Sequence, residues 1–402
     1  MKSKGVPGDP EKCAISRGGA LVCAVFFIGV LLSGAVYYGI SVIMGHTELC
    51  DGYYDGEKYD FGAAYRLDDV FYRSAPLRRD IMKLKYLLFG RVENEDIIVG
   101  DDGYLFDVYD TEYGYDYVRD YIGEFYSDEE VRALADAVKF RRDVFAAYGA
   151  EYRLAVIPNS QTVCSDKIPD YFGSISPDTR LARFSALMAE EGEDCMVDLS
   201  ATFCPIPDAW QLYNNTENSV NSLGAYYIYR TVFESLPAKY TEGHWLIPFD
   251  SLRFITQLTD GRTLARRAGL EKVIRNRTVS LPSETTKKYI TFGYFYDIEA
   301  TYSKSEYRDE IPVKPTVLLE ILSGDEWDKI LLSEYFSGTF GDVGYRFGHD
   351  LSTDAIGRFR PQVVIQFIHE NELSALLDPV ITETYENAYA DVMSDAETKE
   401  EE

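Results

Sequence analysis

The chain has 402 residues with 67 acidic against 40 basic side chains, a net charge of −27. That balance speaks against nucleic acid as a partner, because phosphate binding needs clustered Lys and Arg, and it offers no polybasic surface for anionic lipid. With 46% hydrophobic residues the chain is long enough for one large domain or two ordinary ones with a proper core.

The first 17 residues carry Lys2, Lys4, Lys12 and Arg17, and Gly18 to Met44 holds no charge at all. About 20 apolar residues suffice to cross a bilayer, and a cleaved signal sequence has a shorter apolar region of roughly 7–15 residues. The run 18–45 is therefore read as an uncleaved transmembrane anchor. Glu48, Asp51, Asp55 and Glu57 follow it, so the positive-inside rule predicts a cytoplasmic N-terminus over 1–17 and everything after His46 outside, in a single-pass cell-membrane protein. Of six Cys, Cys50, Cys164, Cys195 and Cys204 fall outside, where three complete pairings are open.

Residues 46–126 read as an Asp-, Gly- and Tyr-rich arm with a short strand at Asp96 to Gly100. Ser127 with Glu130 makes a capping box, and Val131, Leu134, Val138 and Phe145 recur at helical spacing until Gly149. Strands are predicted at Tyr152 to Ile157, Cys195 to Leu199, Thr316 to Leu322 and Val363 to Phe367. Between them lie helices at about Thr179 to Glu191, Ser222 to Leu236 and Trp327 to Phe336. Strands alternating with helices predict an α/β domain over 127–385, a three-layer sandwich around a central, mostly parallel sheet. A β-rich insertion is read at about 240–315, and residues 386–402 as a disordered acidic tail. The 32 Tyr suit either a sugar-stacking groove or packed strands.

Function in such sheets sits at the carboxyl ends of the strands. Ile98 to Phe106 reads I-V-G-D-D-G-Y-L-F; Ala155 to Ser160 is followed by Ile168-Pro169; Leu212 to Tyr226 reads L-Y-N-N-T-E-N-S-V-N-S-L-G-A-Y; Leu322 to Trp327 reads L-S-G-D-E-W; and Val363 to Ile365 precedes Glu370. In this order the segments resemble the DHHW family of SGNH-hydrolase-like proteins and the related alginate O-acetyltransferases, which are typically anchored outside the cytoplasm. The resemblance implies an O-acetylation setting, with cell-surface polysaccharide and envelope-modification proteins as partners; no cofactor or metal is expected, since the sequence has no dinucleotide fingerprint, Walker loop, His-rich metal motif or calcium-loop pattern. It also implies a Ser nucleophile, a His base and an orienting Asp. Those positions hold Glu326, Ser219 and Glu217 here. A serine hydroxyl has no pKa near neutrality with which to accept a proton, and a carboxylate at the nucleophile turn repels a developing oxyanion. The chain is therefore read as a pseudoenzyme, with an active enzyme of non-standard site and a membrane scaffold with a vestigial pocket as alternatives.

Asn159, Ser160, Asn221, Asp325, Trp327, His349, His369 and Glu370 are the remaining pocket candidates, the two His as replacement bases or as ordinary loop histidines. Glu217 with Glu326 is also open as a glycosidase-like carboxylate pair, or as two solvated acids. Sequons stand at Asn214 and Asn276.

Overall fold

The computed structural model describes residues 51–54, 57–60, 75–90, 92, 96–110, 114–124, 126–243, 246–281, 290–295, 298–303, 315–322, 332, 335–340, 342–351 and 353–400. The anchor expected over 18–45 and Cys50 lie outside them, and no helix among the described residues is long and apolar enough to cross a membrane. The chain divides into two compact units, Met1–Leu84 and Lys85–Glu402. In the first, β1 (Asp51–Tyr54) pairs antiparallel with β2 (Glu57–Asp60). Helix α1 (Ala75–Phe89) runs across the division.

In the second unit, β3 (Ile97–Val99) pairs with β4 (Leu105–Asp107), and β5 (Tyr109–Asp110) pairs with β6 (Tyr115–Asp116), which leads into α2 (Tyr117–Ile122). These were expected in an arm apart from the α/β domain. Ile98, Tyr104, Phe106 and Tyr121, from the β3–β4 hairpin and α2, instead belong to the domain's main core. Helix α3 (Asp128–Ala147) starts where expected: Ser127 and Glu130 close the reciprocal capping box, worth about 1 kcal/mol.

The domain is organised by a seven-stranded sheet, built from β7 (Glu151–Ile157), β8 (Met196–Asp198), β11 (Ile290–Phe295), β12 (Ile298–Ser303), β13 (Val317–Ile321), β14 (Asp342–Phe347) and β15 (Val363–His369). Their spatial order is β11-β12-β14-β13-β15-β7-β8. From β14 to β8 all pairs are parallel, while β11 and β12 extend one edge antiparallel. So part of the region expected as an insertion is sheet edge. A separate ribbon, β9 (Ile255–Thr259) with β10 (Asn276–Ser280), carries the short helix α8 (Thr263–Arg267), numbered after the four helices named next.

Side chains alternate across a strand, so one set of positions faces each layer. Ala155, Ile157, Leu319, Ile321, Ile365 and Phe367 meet α7 (Ser222–Ser235) through Tyr226, Tyr229 and Val232. Leu154, Val156, Leu318, Val364 and Ile368 face α3 and α5 (Arg180–Glu190). The short turns α4 (Ser160–Val163) and α6 (Ser200–Phe203) follow β7 and β8 directly. After β14 come α9 (Thr353–Phe359) and, past β15, α10 (Pro379–Glu400). The helix runs through Glu400, where a disordered tail was expected: Tyr385 and Ala388 bury against the second layer and Tyr389 packs beside them, tying the start of the segment to the domain. Tyr104, Tyr152, Tyr213, Tyr226, Tyr229, Tyr335 and Tyr385 are all fully buried, so packing accounts for much of the Tyr content among the described residues.

Candidate functional site

The stretch Leu212 to Tyr226 forms a closed loop followed by a helix. Tyr213 bridges Val220, Asn214 N donates to Ser219 O (3.1 Å), and Asn221 N donates to Leu212 O (2.9 Å), which puts Glu217, Asn218 and Ser219 at the loop tip. Asn221 caps α7: its Oδ1 accepts from the amides of Leu223 and Gly224, and its Nδ2 donates to Gln211 O and Tyr213 O. That uses the side chain fully in the fold, so Asn221 is a structural residue and not a pocket residue.

Two further residues fix the loop to its surroundings. Asn215 donates to Gly103 O (2.8 Å) and Arg275 O (3.1 Å), while its own carbonyl accepts from Leu105 N (2.9 Å). Thr216 Oγ1 donates to Asn276 Oδ1 (2.7 Å) and accepts from Arg262 N (3.0 Å). The sequon residues Asn214 and Asn276 are only 5% and 0% exposed.

A cleft of about 220 Å³ opens at this tip. It is lined by Glu217, Asn218 and Ser219, by Asp107 and Tyr117, by Thr263 and Leu264, and by His369, Asn371 and Glu372 at and just after the end of β15. Ser219 Oγ accepts from Asn214 Nδ2 (3.0 Å) and donates to Glu217 Oε2 (3.1 Å), which also accepts from Arg262 (3.2 Å). Asp107 is ion-paired to Arg267 and accepts from Asn218 Nδ2 (2.7 Å). Asp107 and Glu217 are thus each paired with an arginine, while Asn218, Ser219, Thr263 and Asn371 add amides and hydroxyls to a lining that also holds His369 and Glu372. Such a lining suits a hydroxyl-rich ligand, which both donates and accepts.

Of the residues singled out in sequence, Glu217, Ser219 and His369 come together in the cleft. Ser160 lies just behind it, its hydroxyl within hydrogen-bond distance of Asn218 Oδ1 (3.0 Å) and Gln161 Oε1 (3.1 Å). Asn159 and Glu370 sit deeper. Glu370 Oε2 accepts from Asn159 N (2.7 Å) and Thr162 Oγ1 (3.1 Å), and Oε1 is buried without a hydrogen bond. Burial, with the Asp120 charge nearby, pushes the Glu370 carboxyl up to about 8. Asn159 Nδ2 donates to Tyr115 OH (3.0 Å), which in turn donates to Asp120. His349 is not brought to the cleft. It is half-buried near Arg141 and Asp378 on the α3 and α10 side, where burial lowers its pKa. Asp325, Glu326 and Trp327, and most of the helix expected over 327–336, lie outside the described residues, as does His244. Cys164 and Cys195 are buried and Cys204 exposed, all three with free thiols.

Asp107, Tyr117, Asn218, Thr263, Asn371 and Glu372 escaped the sequence reading. Asn371 and Glu372 were within its reach, since they follow a predicted strand end. Thr263 and Arg262 come from the β-rich insertion expected at about 240–315, where no motif marks them.

The chain is similar to the O-acetyltransferase domain of Pseudomonas putida AlgJ, with 16% identity and a TM-score of 0.46 over 73% of this chain and 99% of that one. It is also similar to Bacillus cereus PatB1 (11%, TM-score 0.48, 69% and 97% covered) and to a DHHW family protein from Eubacterium siraeum (12%, TM-score 0.43, 72% and 98% covered). No family model and no curated protein matches. At such identities and TM-scores no residue role passes from those proteins to this one.

Proposed function

We propose that this chain is a membrane-anchored, extracytoplasmic SGNH-like protein that binds or organises cell-surface polysaccharide or its O-acetylation machinery and does not itself transfer acyl groups. One observation carries the inactive reading. At the position where the motif calls for a base, Ser219 is held between Glu217 and Asn214 by hydrogen bonds. Its hydroxyl has no affinity for a proton at neutral pH, and the neighbouring carboxylate is committed to Arg262. The substrate class rests on the motif resemblance and is consistent with the amide- and hydroxyl-rich cleft.

A second reading is favoured by the presence of His369 in the same cleft as Glu217 and Ser219: an acyltransferase or esterase with a relocated base. The two separate in one assay. The full chain, incubated with a chromogenic acetyl ester, is expected to release no acetate above buffer. Turnover that disappears in both Glu326→Ala and His369→Ala variants makes the protein an enzyme and ends the inactive reading. In parallel, polysaccharide co-sedimentation is expected to be lost in Thr263→Arg, which fills the cleft from an exposed position, with thermal unfolding unchanged. If no polysaccharide is retained by either protein, the scaffold role is left standing in its place.

A further inference from the structure

A polymer does not end inside a cleft of about 220 Å³, so a polysaccharide held at the loop tip has to leave it over a neighbouring surface. One neighbour shares its lining. Asp107 and Tyr117, which line the cleft, also line a narrow hollow together with Ile98, Val118 and Phe172. Those last three in turn line an open groove of about 350 Å³ with Val108, Asp116 and Arg119. Helix α2 stands between the two: Tyr117 borders the cleft, while Val118 and Arg119 border the groove beside the capping residue Asp116. The narrow hollow measures about 10 Å³, room for about one water at most, so no sugar ring passes through it and cleft and groove are separate sites.

The groove has a chemistry of its own. Ile98, Val108, Val118 and the ring of Phe172 make it largely apolar, and Asp116 and Arg119 are its charged groups. Asp116 caps α2 through Oδ1, which accepts from Arg119 N (2.9 Å), and Oδ2 takes no part in that bond. A sugar ring has the same two characters. Its C–H faces pack on apolar and aromatic side chains, and its hydroxyls donate to a carboxylate and accept from a guanidinium. We propose that the groove is a second sugar subsite, where a residue of the same polymer packs a C–H face on Phe172 and Val118 and turns hydroxyls to Asp116 and Arg119. This rests on the polysaccharide reading of the cleft and adds that the protein recognises a stretch of chain and not a single sugar. The cleft alone is smaller than the roughly 300–1,000 Å³ of ordinary ligand sites, and the groove brings the whole within that range.

The test measures the affinity of the full chain, in detergent, for fluorescent cello-, chito- and uronate oligosaccharides of two, four and six sugars. In the series that binds, six sugars are expected to bind about tenfold or more tighter than two, because a second occupied subsite on the same ligand adds its own binding. Thr263→Arg, which fills the cleft, removes binding at every length. Arg119→Trp, which fills the groove from an exposed position, brings the six-sugar affinity down to the two-sugar value and leaves the latter unchanged. Asp116→Asn, which keeps an acceptor at the helix cap, is a milder second variant expected to reduce the gain with length. No binding in any series refutes the polysaccharide reading and this inference together. Equal affinity of the wild type for two and six sugars refutes this inference alone. So does a gain with length that survives both groove variants, since the polymer then leaves the cleft by another side.

Discussion

Glu370 is the residue whose protonation the fold controls most directly. It is fully buried, and its carboxyl titrates at about 8 because burial and the Asp120 charge outweigh the amide of Asn159, the hydroxyl of Thr162 and the guanidinium of Arg180. The ordinary glutamate value is 4.5, so between pH 4.5 and 8 the folded chain keeps a proton that the unfolded chain has released. Stability from this group is therefore fully present below the lower value and declines as pH rises, by up to about 1.4 kcal/mol per pH unit, levelling off above 8. Urea unfolding of wild type and Glu370→Gln at pH 5, 6, 7 and 8 reads this as a difference: the wild type is expected to lose stability faster across the series. Parallel profiles would mean that Glu370 is charged in the fold at every pH tested. The position was visible in sequence as an acid after a strand, but its burial was not, because that depends on Arg180 and Asp120 arriving from far along the chain.

Among the elements, the second face of the sheet carries a polar layer that continuous apolar strands do not foreshadow. Gln366 on β15 donates to Glu320 on β13 (2.7 Å) and to Tyr385 (2.7 Å), while Arg346 on β14 pairs with Glu320 (3.3 Å) and donates to Asp350 O. Burial raises the Glu320 pKa against the pull of Arg346. Removing the cation leaves a carboxylate in the core with too few partners, so Arg346→Met is expected to cost about 3–5 kcal/mol. The double variant Arg346→Met with Glu320→Met is expected to recover most of that loss in thermal unfolding. Equal losses in single and double variants would show that Arg346 acts through packing alone. The same layer explains why β14 was missed. Asp342-Val-Gly-Tyr-Arg-Phe347 contains Gly and Arg and reads as a loop until Glu320 supplies a reason to bury the Arg.

Helix α3 and strands β7, β13 and β15 were legible because capping chemistry and unbroken apolar runs are local. The Leu-Tyr…Gly-Ala-Tyr frame was legible too, for a reason that has to do with folding and not with chemistry. A Cβ on Gly224 would come within 2.5 Å of Leu212 O and 3.0 Å of Val220, and Leu212, Tyr213, Ala225 and Tyr226 are all core. The frame thus fixes where the loop tip stands, whatever side chains the tip carries.

For the whole molecule, location and surface are linked. Cys204 is the one exposed thiol among the described cysteines, with Cys164 and Cys195 buried. If the domain faces outward, a membrane-impermeant maleimide added to intact cells labels Cys204 and spares the other two, as peptide mapping reads. Labelling of Cys204 only after lysis would place the domain on the cytoplasmic side. The cleft itself was only partly foreseeable. Glu217 and Ser219 come from one motif, but Asp107, Thr263 and Glu372 reach it from three separate elements, and no local pattern announces a meeting set by tertiary packing.

Asn214 and Asn276 bear on how the protein can be produced. Oligosaccharide is attached to acceptor asparagines of a nascent, still open chain, and a glycan is too large and too hydrated to enter a core. Asn276 is completely enclosed and bonded to Thr216, and Asn214 braces the loop tip through Ser219. A eukaryotic secretory host would therefore install, before folding, two groups that the finished fold has no room for. Production is therefore expected to give folded protein where asparagines are left bare.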